Sequence, residues 1–109
     1  LILFFFAIFS KMKLSELMLK IRNTPEAFLQ DDCIFQLRAF LRGFILAKNT
    51  SVQSITEDHI LLESIDSMIK NQYGVNKAEQ ISIEELLFDH EGKKAFQKYL
   101  ELWFKYSQH

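Results

Sequence analysis

The chain has 109 residues, 49% of them hydrophobic and 25% charged, with a formal net charge of −1. That length suits one domain around one core, and the near-neutral balance argues against a protein held to nucleic acid by bulk attraction to phosphates. Three glycines and one proline leave few tight turns, which argues against an all-β fold, while the lone Cys33 rules out an internal disulfide and suits a reducing, cytoplasmic setting.

The chain begins LILFFFAIFS, apolar over nine residues, against the roughly 18–20 that a membrane-spanning helix needs. It lacks the basic flank and small-residue cleavage site of a signal peptide. Met12 opens a conventional MKLSEL, so residues 1–11 are expected to be a dispensable extension read from upstream, preceding a domain of residues 12–109. No stable membrane insertion is expected.

KLSELMLKIR places Leu14, Leu17, Met18 and Ile21 at helical spacing. Thr24-Pro25 then has the form of an N-cap followed by proline at the first helical position, opening a short turn anchored by Phe28 and Leu29. Asp31 and Asp32 stand where the positive end of the next helix favours negative charge.

Residues 33–48 carry Ile34, Leu37, Phe40, Leu41, Phe44, Ile45 and Ala47 around most of a helix, with a narrow polar stripe through Arg38 and Arg42. Such a helix predicts burial among others as the central element of a bundle. Gly43 within it costs about 1 kcal/mol relative to Ala, which predicts a close approach by a neighbour there.

NTSVQS reads as a loop, with Ser54 or Thr56 capping the next helix. That helix is predicted to run to Tyr73 and stop at Gly74. Its inner face is Leu61, Leu62, Ile65, Met68, Ile69 and Tyr73, and its outer stripe His59, Glu63, Asp66 and Lys70. Ser82 begins a second capping box, and the last helix turns Phe96, Tyr99, Leu100, Trp103 and Phe104 inward, with Glu101 and Lys105 as a surface pair. The expectation is an all-α, single-domain bundle of five or six helices around a central apolar helix, residues 33–48.

Charge is unevenly spread along this chain. Residues 1–50 hold seven Lys/Arg against four acids, whereas residues 51–91 hold nine acids against Lys70 and Lys77. The simplest reading of that acidic middle is a solvated helix face.

No catalytic constellation stands out. His59, His90 and His109 lack zinc-ligand spacing and Cys33 has no thiolate companion, so no metal or cofactor is expected. Glu84-Glu85 and Asp89-His90-Glu91 raise the idea of paired carboxylates, but acids near helix starts serve caps and dipoles. The chain carries neither a phosphate-cradling glycine loop nor a nucleophile elbow, and the protein is expected not to be an enzyme. Lys20, Arg22, Arg38 and Arg42 do not make a convincing nucleic-acid patch beside so acidic a segment.

LMLKIRNTPEAFLQDD, LRAFLRGFILAK and KKAFQKYLELWFKY together resemble a bacterial family of small helical immunity proteins. These are associated with contact-dependent growth inhibition and other polymorphic toxin systems. The matching positions are Arg22, Pro25, Phe28 and Leu29, then Leu37, Phe40, Leu41, Gly43, Phe44 and Ala47, then Ala95 and Phe96. Gln30 stands where that family usually has glycine. The resemblance implies a cytoplasmic antidote to a cognate protein toxin, expected to be a nuclease. Charge alone then nominates Glu57, Asp58, Glu63, Asp66, Glu84, Glu85 and Asp89 as the surface that covers a basic toxin cleft. The alternative is a helical protein–protein interaction or scaffold module that has no toxin as its partner.

Overall fold

The computed structural model describes residues 12–51, 57–76 and 79–108, and all regular structure among them is helical. The elements are α1 (Leu14–Asn23), a 3-10 turn (Pro25–Ala27), α2 (Ile34–Ser51), α3 (Glu57–Gln72), α4 (Ile83–Glu91), a second 3-10 turn (Gly92–Lys94) and α5 (Ala95–Ser107). The extension 1–11 and the caps expected at Ser54 and Thr56 lie outside the described residues.

α1 follows its apolar periodicity closely: Leu14, Leu17, Met18 and Ile21 are all 0% exposed. It ends where the Thr24 amide and hydroxyl both donate to the Lys20 carbonyl, at 2.8 and 3.1 Å. The Thr24 side chain therefore closes the helix behind it and makes no capping bond to the turn ahead, contrary to the reading of the Thr-Pro pair. Pro25 supplies a preset φ to the 3-10 turn, where its missing N–H leaves no bond unmade. Phe28 meets Phe40 edge to face at 6.0 Å.

The expected stop signals hold further along. α3 closes in a Schellman arrangement, with Gly74 at φ +71, its N–H on the Asn71 carbonyl and the Val75 N–H on that of Lys70. Ser82 caps α4 by accepting from the Glu85 N–H at 3.1 Å. Gly92, at φ +59, then redirects the chain so that α4 and α5 pack against one another. α4 and α5 are thus joined through one 3-10 turn without a loop, and the proline-led element is itself only a turn. The five α-helices of the described residues thus make four helical arms, where the sequence predicted five or six separate helices.

The centre of the bundle also differs from the expectation. α5 touches α1, α2, α3 and α4, and its Phe96, Tyr99, Leu100, Leu102 and Trp103 are buried. α2 instead lies at the side, with Phe35 42% and Leu46 66% exposed. Gly43 is also exposed, and a Cβ built there would meet nothing within 4 Å outside its own helix. The close neighbour predicted for it is absent among the described residues. On the surface of α5, Glu101 faces Lys98 at 3.8 Å, replacing the expected Lys105 pair. No described helix is long and apolar enough to cross a membrane.

Candidate functional site

α2 presents Arg38, Arg42 and Lys48 to acids on its neighbours, and this charge arrangement decides which carboxylates reach the surface. Arg38 is 5% exposed and grips Asp66 of α3 with both terminal nitrogens, Nη1 to Oδ1 at 2.9 Å and Nη2 to Oδ2 at 2.8 Å. Its Nη1 also donates to the Tyr99 hydroxyl of α5 at 3.0 Å. Its Nε lies 3.5 Å from Glu84 Oε1 on α4, too far and too poorly aligned for a hydrogen bond. Glu84, itself buried, is held through its other oxygen by Arg42. One guanidinium thus ties together α2, α3, α4 and α5. The planar, bidentate fork of arginine suits this role as lysine would not.

A second pair closes the far end of α2. Lys48 Nζ contacts Asp58 Oδ2 and the Met12 carbonyl, and sits 5.0 Å above the Phe44 ring. The ammonium is thereby held between the start of α3 and the residues leading into α1.

The protonation equilibria reflect this enclosure. Burial pushes the Asp66 carboxyl above its ordinary range, and the charge and hydrogen bonds of Arg38 offset that only in part. Burial pushes Glu84 the same way, but the Arg42 hydrogen bond, with further help from its own backbone and from the charges of both arginines, outweighs it and leaves the carboxyl below its ordinary range. Tyr99 is raised by burial. Burial would lower Arg38, but the charges of Tyr99 and Asp66 hold it above its ordinary value. At neutral pH the cluster is a charged, internally matched network.

The seven nominated acids therefore divide. Asp58 and Asp66 are paired with the enclosed Lys48 and Arg38, and the buried Glu84 with Arg42, whose own side chain is exposed. Asp66 in particular does not lie on an outer stripe with Glu63, and Glu84 does not merely serve a helix dipole. Glu57, Glu63, Glu85 and Asp89 remain exposed. Of these, Glu63 lies 3.0 Å from His59 Nε2, while Glu57, Glu85 and Asp89 have no cationic partner among the described residues. The signal that could have revealed the internal acids was the arginine pair at i and i+4 on an otherwise apolar helix. A helix that packs on its neighbours must bring such cations to acids on them.

The surface also carries a feature that periodicity did not flag. Phe35 of α2 and Phe88 of α4 are both exposed, with ring centroids 5.5 Å apart. They stand beside a surface cleft lined by Asp32, Cys33, Ile34, Phe88, Lys93 and Phe96. Among the described residues no group of three or more His, Cys, Asp or Glu side chains is placed to hold a metal ion. No family model matches this chain, and neither the curated proteins nor the solved structures include one significantly similar to it.

Proposed function

We propose that this protein is an immunity protein: a cytoplasmic binder that neutralises a cognate, contact-delivered toxin of nuclease type by laying an acidic helical surface over its basic cleft. The observation that carries the proposal is the sorting of charge. Arg38, Arg42 and Lys48 of α2 are paired with Asp66, Glu84 and Asp58, and of these three cations only Arg42 is exposed. The remaining acids of residues 57–91 are Glu57, Glu63, Glu79, Glu85, Asp89 and Glu91, set against Lys70 among the described residues. Such a surface can imitate the phosphates a nuclease cleft is built to receive. Its charge would speed and orient encounter with a basic partner. The resemblance of the Pro25 turn, the Gly43 helix and the Ala95-Phe96 segment to toxin-system immunity proteins supports the same reading.

The test is to clone the gene immediately upstream, express its product as a candidate toxin, and measure protection of target cells and association rate. Wild type should protect, and its association should slow as salt rises, because charges more than about 8–10 Å apart are screened at physiological ionic strength. The double reversal Glu85→Lys with Asp89→Lys should weaken both readouts without harming the fold. A salt-independent rate and full protection by that variant would remove the acidic surface from the mechanism. An upstream gene encoding an unrelated subunit that binds stably would favour the scaffold reading.

A further inference from the structure

Phe35 and Phe88 are 42% and 46% exposed, whereas Phe96, Tyr99 and Trp103 of α5 are buried. Their rings are tilted against one another at 58°, with centroids 5.5 Å apart, so the two helices present them as one aromatic surface. The pair bridges α2 and α4, yet it leaves nearly half of each ring's surface in water. Exposed clusters of this kind mark contact sites.

Beside the pair, the cleft descends between the start of α2 and the Gly92 turn, with Ile34, Ala95 and Phe96 as its apolar wall and Cys33 half-buried in it. Asp32 and Lys93 stand at its rim. Around that rim acids outnumber bases. Glu85 lies one helical turn before Phe88, Asp89 lies next to it, and Asp31 precedes Asp32, all exposed. With Asp32 they make four acids against the two cations Lys93 and Lys94. An apolar anchor beside an excess of charge of one sign is how a compact interface combines affinity with orientation.

We propose that the Phe35–Phe88 pair and the adjoining cleft form the anchor of the partner-binding surface, taking one apolar side chain from a basic protein segment whose flanking lysines or arginines meet Glu85, Asp89, Asp31 and Asp32. The inference rests on the immunity reading for the partner's identity, though not for the chemistry of the site. The aromatic pair supplies the energy and the acids select a cationic partner. Acidic partners are rejected because like charges would be brought together on docking.

The experiment uses the full chain and the peptide acetyl-Lys-Lys-Phe-Lys-Lys-amide as probe, with Lys-Lys-Ala-Lys-Lys and Glu-Glu-Phe-Glu-Glu analogues as controls. Backbone amide shifts report binding, and alkylation of Cys33 by iodoacetamide reports occupancy of the cleft, since Cys33 is the sole thiol. The phenylalanine-containing basic peptide should shift the amides of Cys33, Phe88 and Gly92 saturably and slow the alkylation. Both controls should bind at least about tenfold more weakly, as should Phe88→Ala tested with the probe. Binding should fade between about 50 and 500 mM salt.

Equal binding of the alanine or acidic peptide, unchanged binding by Phe88→Ala, or an absence of shifts at the cleft would overturn the proposal. So would a concentration-dependent dimer abolished by Phe88→Ala, which would make a second copy the occupant. The two readings fail separately. Failure to protect cells from the upstream toxin ends the immunity reading whatever the peptide does. Full protection by Phe88→Ala ends the anchor site and leaves the immunity reading in place.

Discussion

α1 buries four apolar side chains completely and leaves its charges in water, whereas α2 buries the charged Arg38 among its apolar side chains. The two helices are held by different physics. α1 is fixed by transfer of Leu14, Leu17, Met18 and Ile21 out of water, a non-directional force that tolerates other side chains of similar shape. α2 shares that force through Leu37, Leu41 and Ile45, but its rotation and register are set by Arg38, which fits only where Asp66, Tyr99 and Glu84 converge. Enclosed ion pairs of this sort contribute little net stability against well-packed apolar replacements, yet removing one partner is costly. The contrast implies that α1 specifies that the chain folds and the α2 network helps specify how its helices align.

The largest effect should come from placing a cation opposite Arg38. Asp66→Lys should cost at least about 3–5 kcal/mol, the range for breaking an enclosed ion pair, because it leaves Arg38 without its bidentate partner and adds like charge. Glu63→Lys, on the same helix but in solvent, should change stability by under about 0.5 kcal/mol. Denaturant midpoints for the two variants check this directly. The contrast sharpens further with Arg38→Met combined with Asp66→Leu, which should recover most of the loss seen with either single change. A double variant as unstable as Asp66→Lys would show that the network, and not its matching, supplies the stability.

On the α1 side, Leu17→Ala should cost about 2–5 kcal/mol through lost burial and the cavity left behind. Leu17→Met, which conserves volume, should cost less than about 1.5 kcal/mol. If the conservative change proved as harmful as the truncation, α1 would need shape as strictly as α2 needs charge, and the distinction between them would collapse.

These differences explain how much was legible beforehand. The interior face of α1, the Gly74 stop, the Ser82 cap and the apolar face of α5 follow from interactions within a few residues, so spacing reveals them. The Arg38 network joins positions 28 and 61 residues apart, and no local pattern states which acid will meet which base. For the same reason three of the nominated surface acids proved internal. The misplacement of the bundle centre has a related cause: α2 has the more continuous apolar run, but contact with every other helix belongs to α5. The exposure of Phe35 and Phe88 has no local signal, because helical periodicity treats an aromatic as interior until the neighbouring helix is known.

A smaller, pH-dependent effect separates the two acids of the network. Glu84 has a folded-state pKa below its ordinary 4.5, so its ionised form stabilises the fold above that value and the contribution disappears as pH falls through the folded pKa. Asp66 has the opposite sign: its folded pKa lies above its ordinary 3.8, so ionisation costs stability above the folded value, and acidification between the two relieves that cost. Glu84→Gln should therefore destabilise by about 1–3 kcal/mol at neutral pH, and the gap from wild type should narrow below pH 4.5. Midpoints measured across that range give the result, and a gap that widened on acidification would reverse the sign assigned to Glu84.

The smallest effect concerns Gly43, where α2 carries a poor helix former in an open position. Glycine usually marks a left-handed turn or a close approach, but this residue is in mid-helix, lacks a positive φ, and has no atom of another element within 4 Å of where a Cβ would be. Nothing among the described residues therefore opposes a methyl group. Gly43→Ala should raise stability by about 1 kcal/mol by restricting the unfolded chain and favouring the helix. Gly43→Leu should be tolerated too, since the side chain would extend into solvent and not into a neighbour. Thermal or denaturant unfolding of both variants decides the matter. Stabilisation by alanine would show that the glycine is not there for the isolated fold, and comparing the binding of Gly43→Ala and Gly43→Leu to a basic partner would then show whether α2 keeps it for an approach that only the complex makes. Destabilisation by alanine would instead place an unseen neighbour against α2 and restore the enclosed position that its apolar sequence first suggested.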